Sequence, residues 1–249
     1  MLKSVKVLQD QGPVRVEIAK LDGKMVVVKQ LQIESRELAQ RLEREAIVAQ
    51  KLKHENIVPL LSVQNKALIY EYAPGMSLAD LLKVEPIRVD RCLDIALDVL
   101  SALDYAHRNQ VIHFDVKPSN IIISPQGRGL LTDFGFAKDL ALENITIQEM
   151  RLGTPNYMSP EQFMGKRHDP RSDIYAVGAV MYHMLMGFPP YRTDVFRFLV
   201  GDSTLELEGL PVAGSIARVV YKALKHQADD RYQSALEMHR ALRAVRAMA

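Results

Sequence analysis

A single cysteine, Cys92, stands in 249 residues. No disulfide can form within the chain, and such a composition fits a reducing compartment. No apolar run approaches the roughly 20 residues that a membrane-spanning helix needs. The opening, MLKSVKVLQDQG, has no apolar signal core, so the expected location is cytoplasmic, with no membrane segment. Charge of one sign is also lacking: 32 lysines and arginines face 30 acids, a net charge of +2. Nothing in that balance draws nucleic acid or an anionic membrane. Internal repeats and low-complexity linkers are absent. What remains is an ordinary globular composition, long enough for one large domain or two small lobes.

The first third reads as strand-rich. SVKVLQ, VRVEIAK and KMVVVKQL are short, β-branched and partly alternating, and DQGP and LDGK between them read as turns. ESRELAQRLEREAIVAQKL follows with Leu38, Leu42, Ala46 and Ala49 at helical spacing. IVPLLSV and KALIYEY read as two more strands around the turn QNK. The rest is mainly helical. RVDRCLDIALDVLSALDYAHRN is amphipathic, and SDIYAVGAVMYHMLMG is apolar nearly all round, as a helix at the centre of a lobe would be. SIARVVYKALKH and SALEMHRALRAVRAM are amphipathic again. The basic side of the last, Arg240, Arg243 and Arg246, reads as a solvated face. The fold class is therefore α+β, a five-stranded antiparallel lobe carrying one helix and then a helical lobe. Cys92 and MYHMLM read as core, His168 and His226 as surface histidines.

The stretch VIHFDVKPSNIIIS, residues 111–124, carries the first chemistry. An aspartate, Asp115, can orient or deprotonate a hydroxyl. Lys117 can neutralise charge on a moving phosphoryl group. The carbonyl of Asn120 is a hard oxygen ligand suited to Mg²⁺. Pro118 stiffens the turn, and IIIS reads as an anchoring strand. Farther on, LLTDFGFAK brings Asp133, a second oxygen ligand, and Gly135, which lets the backbone turn. Two oxygen ligands suit a metal held mostly by nucleotide phosphates.

These residues resemble the protein kinase family in its serine/threonine branch. HFDVKPSN is similar to the catalytic loop, and DFG stands unchanged at Asp133–Gly135. GTPNYMSPE resembles the end of the activation segment, with Ser159 where alanine is usual. SDIYAVG resembles the central-helix motif through Asp173 and Gly178. DDRYQSA resembles the late motif whose arginine, Arg231, pairs with a glutamate matched by Glu161. The motifs keep family order and spacing from about Val16 to about Arg243, and their phrasing leans towards bacterial serine/threonine kinases. The resemblance implies one bilobal kinase domain over 1–249, with a small lobe over about 1–72, a hinge over about 71–75 and a large lobe over about 76–249. It implies ATP with Mg²⁺, or Mn²⁺ in its place, and a protein substrate. It leaves a homodimer through the small lobe open.

The resemblance also assigns the nucleotide site. Lys29 stands where a strand lysine holds the α- and β-phosphates, and Glu45 is its helix partner. YEYAP matches the hinge: backbone of Glu71 and Ala73 would meet adenine, Tyr70 is a bulky gatekeeper, and Val16, Val27 and Ile122 sandwich the ring. Val27 replaces the usual alanine. The lysine two residues after Asp115 marks serine/threonine specificity, and Thr154 matches the threonine that bonds to the catalytic aspartate and lysine. His113 is expected to pack with Phe134, in a column with Leu60 and Ala49.

Two departures stand out. The phosphate-covering loop lacks its glycines. Aligned on Val16, the three glycine positions hold Gln9, Gln11 and Val14, Gly12 is out of register, and Pro13 removes an amide donor. Weaker ATP affinity or a differently shaped lid is expected. Second, Phe114 replaces the arginine of His-Arg-Asp, which in the family receives a phosphorylated activation-segment residue. Phenylalanine cannot make that pair, so an activation segment ordered without phosphorylation, or by a partner, is expected, whatever happens at Thr146. The favoured reading is an active kinase. A pseudokinase acting as a nucleotide-responsive binding or scaffold module is the alternative, resting on the glycine-poor loop. A small-molecule kinase on the same fold is disfavoured by GTPNYMSPE.

Overall fold

A computed structural model describes residues 2–10, 12–139, 155–166, 168–202 and 207–248. In it a small β-lobe is followed by a larger helical lobe, the architecture the resemblance implies. Strands β1 (Leu2–Gln9), β2 (Val14–Leu21) and β3 (Lys24–Leu31) precede helix α1 (Arg36–Lys51), and β4 (Leu60–Gln64) and β5 (Ala67–Glu71) complete the sheet. Its order is β1-β2-β3-β5-β4, antiparallel throughout. Two-residue hairpin loops close two of these pairs, Asp22-Gly23 and Asn65-Lys66. All four residues have positive φ, between 47° and 85°, the conformation that matches strand twist.

Register decides which side chains face the cleft. Val16 pairs with Lys29, Val27 with Tyr70, and Lys29 with Leu68. Since side chains alternate, these residues share one face. Leu68 and Tyr70 pack there with Leu42, Ala46 and Ala49 of α1. The other face gathers Ala19, Val26, Val28, Ala67 and Ile69. Ser35 caps α1, its Oγ accepting from the Leu38 amide at 3.4 Å. IVPLLSV departs from the sequence reading at its start. The strand begins only at Leu60, while Ile57 bridges Leu131 and the Val58 amide donates to the Leu131 carbonyl at 3.0 Å. Those first residues tie the small lobe to the large one.

The large lobe opens with β6 (Met76–Ser77), α2 (Leu78–Val84) and α3 (Val89–Arg108). Four short strands follow, β7 (Val111–Ile112), β8 (Ile121–Ile123), β9 (Gly129–Leu131) and β10 (Lys138–Asp139). Then come α4 (Pro160–Phe163), α5 (Arg171–Met186), α6 (Val195–Leu199), α7 (Gly214–Ala223) and α8 (Ala235–Arg246). Strands β6, β8 and β9 form one small sheet, β7 and β10 another. Gly75 lets the hinge lie on β8: a Cβ there would come 2.1 Å from the Ile123 carbonyl oxygen. Helix α5 is buried on nearly every side and is the axis of the lobe's core. Gly178 permits its approach to α7, where an added Cβ would meet that of Ala223 at 2.8 Å. Cys92, Met181 and Met184 are core, as expected, and burial pushes the Cys92 thiol up. His226 is a correction. It is half-buried rather than on the surface, its ring edge-on to Phe198 at 5.3 Å, because the α7–α8 connection folds back over the lobe.

Candidate active site

His113 and Phe114, in the stretch similar to a catalytic loop, are held by one buried carboxylate on α5. Asp173 is 0% exposed. Its Oδ2 accepts from the His113 amide at 2.9 Å and from His107 Nε2 at 2.8 Å, and its Oδ1 from the Phe114 amide at 2.8 Å. Burial alone would raise its pKa, but the His107 bond and the amide bonds outweigh it and hold the carboxyl below its usual range. The backbone so anchored is unusual. Phe114 has φ +60°, the left-handed region that side chains rarely adopt. Its amide is fixed by Asp173, and its carbonyl accepts from Gln162 Nε2 at 2.7 Å. The Phe114 ring is buried at 5% exposure.

His113 packs its ring on Phe134, centroids 4.6 Å apart. Leu60 and Ala49 lie in the small-lobe cluster. Its Nε2 donates to the Thr132 carbonyl at 3.1 Å, and its Nδ1 accepts from the Asp115 amide at 3.2 Å. Those partners assign the neutral tautomer with the proton on Nε2. The Asp115 carboxylate is held within the loop. Its Oδ2 takes Lys117 Nζ at 2.8 Å and Asn120 Nδ2 at 2.9 Å. Burial pushes its pKa up, with Lys117 pulling the other way. Asn120 Nδ2 also donates to the Asp115 carbonyl at 2.8 Å. Its amide nitrogen faces Asp115, so its carbonyl oxygen is the end left for a cation.

A second cluster spans the lobes. Lys29 Nζ donates to Glu45 Oε1 and Oε2 at 2.9 and 2.7 Å and to Asp133 Oδ1 at 2.8 Å. Burial opposes the charge on Lys29, but the two carboxylates override it and hold the amine protonated. Asp133 falls to about 2: burial opposes this, and Lys29 and the Gly135 amide outweigh burial. Glu45, 4% exposed, is raised by burial against the pull of Lys29. A Cβ on Gly135 would come within 3.0 Å of Asp133 Oδ1 and Glu45 Oε2 and 3.1 Å of Lys29 Nζ. Glycine is what fits there. Asp133 Oδ1 is engaged by Lys29 and Gly135, which leaves Oδ2, with the Asn120 carbonyl, as a donor pair for a hard dication.

Val16, Val27 and Ile122 are half-buried, the first two on the sheet face that carries Lys29. The Glu71 amide donates to the Pro59 carbonyl at 3.0 Å, so an adenine contact there falls to its carbonyl. Ala73 packs at the edge of the small-lobe core. The β1–β2 tip is tied down: Gln32 Nε2 donates to Asp10, and the Gln32 amide donates to the Pro13 carbonyl at 2.9 Å. Thr154, Thr146 and Gln11 lie outside the described residues. At the far end Glu161 meets Arg231 in a two-pronged pair at 2.7 and 2.8 Å and accepts from Ser172 Oγ at 2.7 Å. Despite burial, these bonds lower the Glu161 pKa.

Three contacts were not read from the sequence: His107 on Asp173, Gln162 on the Phe114 carbonyl, and Tyr70, whose hydroxyl donates to Glu45 Oε1 at 2.8 Å. The last has a sequence signal, since the register that faces Lys29 to the cleft also faces Tyr70 to α1.

A family model described as the protein kinase domain matches residues 10–207. The chain is similar to serine/threonine-protein kinase PknB of Mycobacterium tuberculosis, 34% identical over 217 residues, which is 80% of this chain and 34% of that protein. It is 35% identical to PknB of Mycolicibacterium smegmatis over 216 residues, again 80% and 34% of the two chains. A probable serine/threonine-protein kinase PknB of Lactococcus lactis is 31% identical over 240 residues, 88% of this chain and 37% of that one. The chain thus spans about a third of the length of these relatives.

Proposed function

The chain belongs to the protein kinase family, in its bacterial serine/threonine branch, and on that premise we propose that it transfers the γ-phosphate of ATP to a protein serine or threonine hydroxyl. Residues 1–249 act in this reading as one kinase domain. The observation that carries it is the convergence on Lys29 of Glu45 from the small lobe and Asp133 from the large one. A lysine fixed by a helix glutamate and a second carboxylate at this position is a phosphate ligand once one of its donors is released.

Asp115 orients the substrate hydroxyl through Oδ1, its Oδ2 being engaged by Lys117 and Asn120. The hydroxyl oxygen forms a bond to the γ-phosphorus, the bond from that phosphorus to the β–γ bridging oxygen breaks, ADP leaves, and Asp115 takes the hydroxyl proton. Lys117 faces the charge that builds on the transferred group. Lys29 holds the α- and β-phosphates, Glu45 holds Lys29, and the hinge backbone at Glu71 and Ala73 binds adenine among Val16, Val27 and Ile122. Asn120 and Asp133 would hold Mg²⁺, which neutralises phosphate charge when bound. Phe114 offers no cation to a phosphorylated activation segment. The loop beneath it is instead fastened through Asp173 and Gln162, which supports catalysis without that phosphate.

The test is phosphate transfer from γ-labelled ATP with Mg²⁺ to the protein itself and to a generic basic protein, beside Asp115→Asn. Incorporation lost in the variant is expected. Nucleotide that stabilises the fold with no incorporation in either protein would overturn the assignment.

A further inference from the structure

Lys29 has three N–H donors, and all are engaged: two on Glu45 and one on Asp133. To take a nucleotide phosphate it must release one. Asp133 is the partner that leaves, because the proposed reaction gives it to the metal. Glu45 must then stay fixed while Lys29, its cationic partner among the described residues, turns towards the phosphates. A second donor already holds it from the sheet. Tyr70 Oη donates to Glu45 Oε1 at 2.8 Å, from a buried ring on β5 that packs against α1. We propose that the Tyr70 hydroxyl is a positioning group, fixing Glu45, and with it α1 and Lys29, while Lys29 exchanges Asp133 for phosphate. The inference rests on the kinase reading above.

The rest of α1 is fastened in the same way, by side chains of the unmodified chain. Lys51, in its last turn, forms an ion pair with Asp139 of β10. Arg41 lies over the Phe136 ring at 5.1 Å. With phenylalanine at 114 no arginine there receives a phosphate, and these contacts supply helix placement that a phosphate–arginine pair supplies elsewhere. Tyr70 differs from the other two in bearing on the catalytic ion pair itself. Phenylalanine at 70 keeps the ring and removes only the donor. Glu45 Oε1 is then left to Lys29 alone in a site 4% exposed.

The test uses Tyr70→Phe, Glu45→Met and the double variant. For Tyr70→Phe, kcat falls about tenfold, the weight of one hydrogen bond to a buried charge. KM for ATP changes less than about threefold, because the ring, the hinge and adenine contacts remain. In the unfolding equilibrium, Tyr70→Phe lowers stability in the wild-type background and has almost no effect beside Glu45→Met, where there is no carboxylate to hold. A ring that merely packs would give the same loss in both backgrounds. Unchanged kcat, or equal stability losses with and without Glu45, overturns the proposal. If the wild-type protein transfers no phosphate, the kinase reading falls, and the unfolding cycle still decides whether the hydroxyl holds Glu45.

Discussion

Replacing Asp173 by alanine tests how the catalytic loop is built. The substitution strands three donors: the buried amides of His113 and Phe114 and the partly buried ring N–H of His107. Each costs about 1–3 kcal/mol when left unsatisfied. Removing a buried charge returns part of that, so the net loss should be about 3–5 kcal/mol. A second consequence is local. Phe114 is held at φ +60° by two hydrogen bonds, one of them donated by its amide to Asp173. A left-handed residue costs about 1–2 kcal/mol and relaxes when its anchors go. Asp115 is the next residue and swings with it. Urea unfolding measures the first effect and steady-state kinetics the second. At a temperature where the variant is folded, kcat should fall at least about a hundredfold, as misplacement by an ångström does. KM for ATP should stay within about threefold, since Lys29 and the hinge are untouched. Asp173→Asn keeps the volume and one acceptor and should lie between. A stability loss below about 1 kcal/mol with kcat unchanged would refute the reasoning.

Three further outcomes follow from the same structure. Arg231→Met removes a buried guanidinium that meets Glu161 and the Lys225, Arg171 and His226 carbonyls. Chemical unfolding should show a loss of about 3–5 kcal/mol, because Glu161 is left half-buried without its cation. Gly135→Ala drives a methyl into Lys29, Glu45 and Asp133 at 3.0–3.1 Å. It should lower kcat/KM for ATP by about ten- to a hundredfold, the equivalent of one charged hydrogen bond, with the unfolding midpoint little changed. Stability should also depend on acid. Asp173 and Glu161 have depressed pKa values in the fold. Below about pH 4 the unfolded chain therefore binds more protons than the folded one, and stability falls as pH drops through that range. A flat stability profile from pH 5 to 2.5 would contradict the assignment of both carboxyls.

The five strands of the small lobe were legible because short β-branched, partly alternating runs stand between turn signals. The Asp22-Gly23 and Asn65-Lys66 turns declare themselves by composition. The two-residue strands β7 and β10 were not legible, since a pair that short has no periodicity and exists only because Lys138 and Asp139 fall beside Ile112 and Val111. The start of IVPLLSV misled for a related reason: Ile57 and Val58 have strand character but pair with Leu131 of the other lobe. The polar motifs named the residues of the candidate site. The anchor of the catalytic loop was hidden, because His107 reaches Asp173 across 66 positions. A buried carboxylate's donors follow from packing, and pattern along one chain does not reveal them.

In the proposed reaction the Lys29, Glu45 and Asp133 cluster and the Asp115 loop move a phosphoryl group onto a hydroxyl amino acid. The most direct measurement incubates wild type and Asp133→Asn with γ-labelled ATP and Mg²⁺ and identifies the labelled amino acid after hydrolysis. Label on serine or threonine in the wild type, and loss of it in the variant, is the predicted result. Label on neither, or equal label in both, would contradict the account.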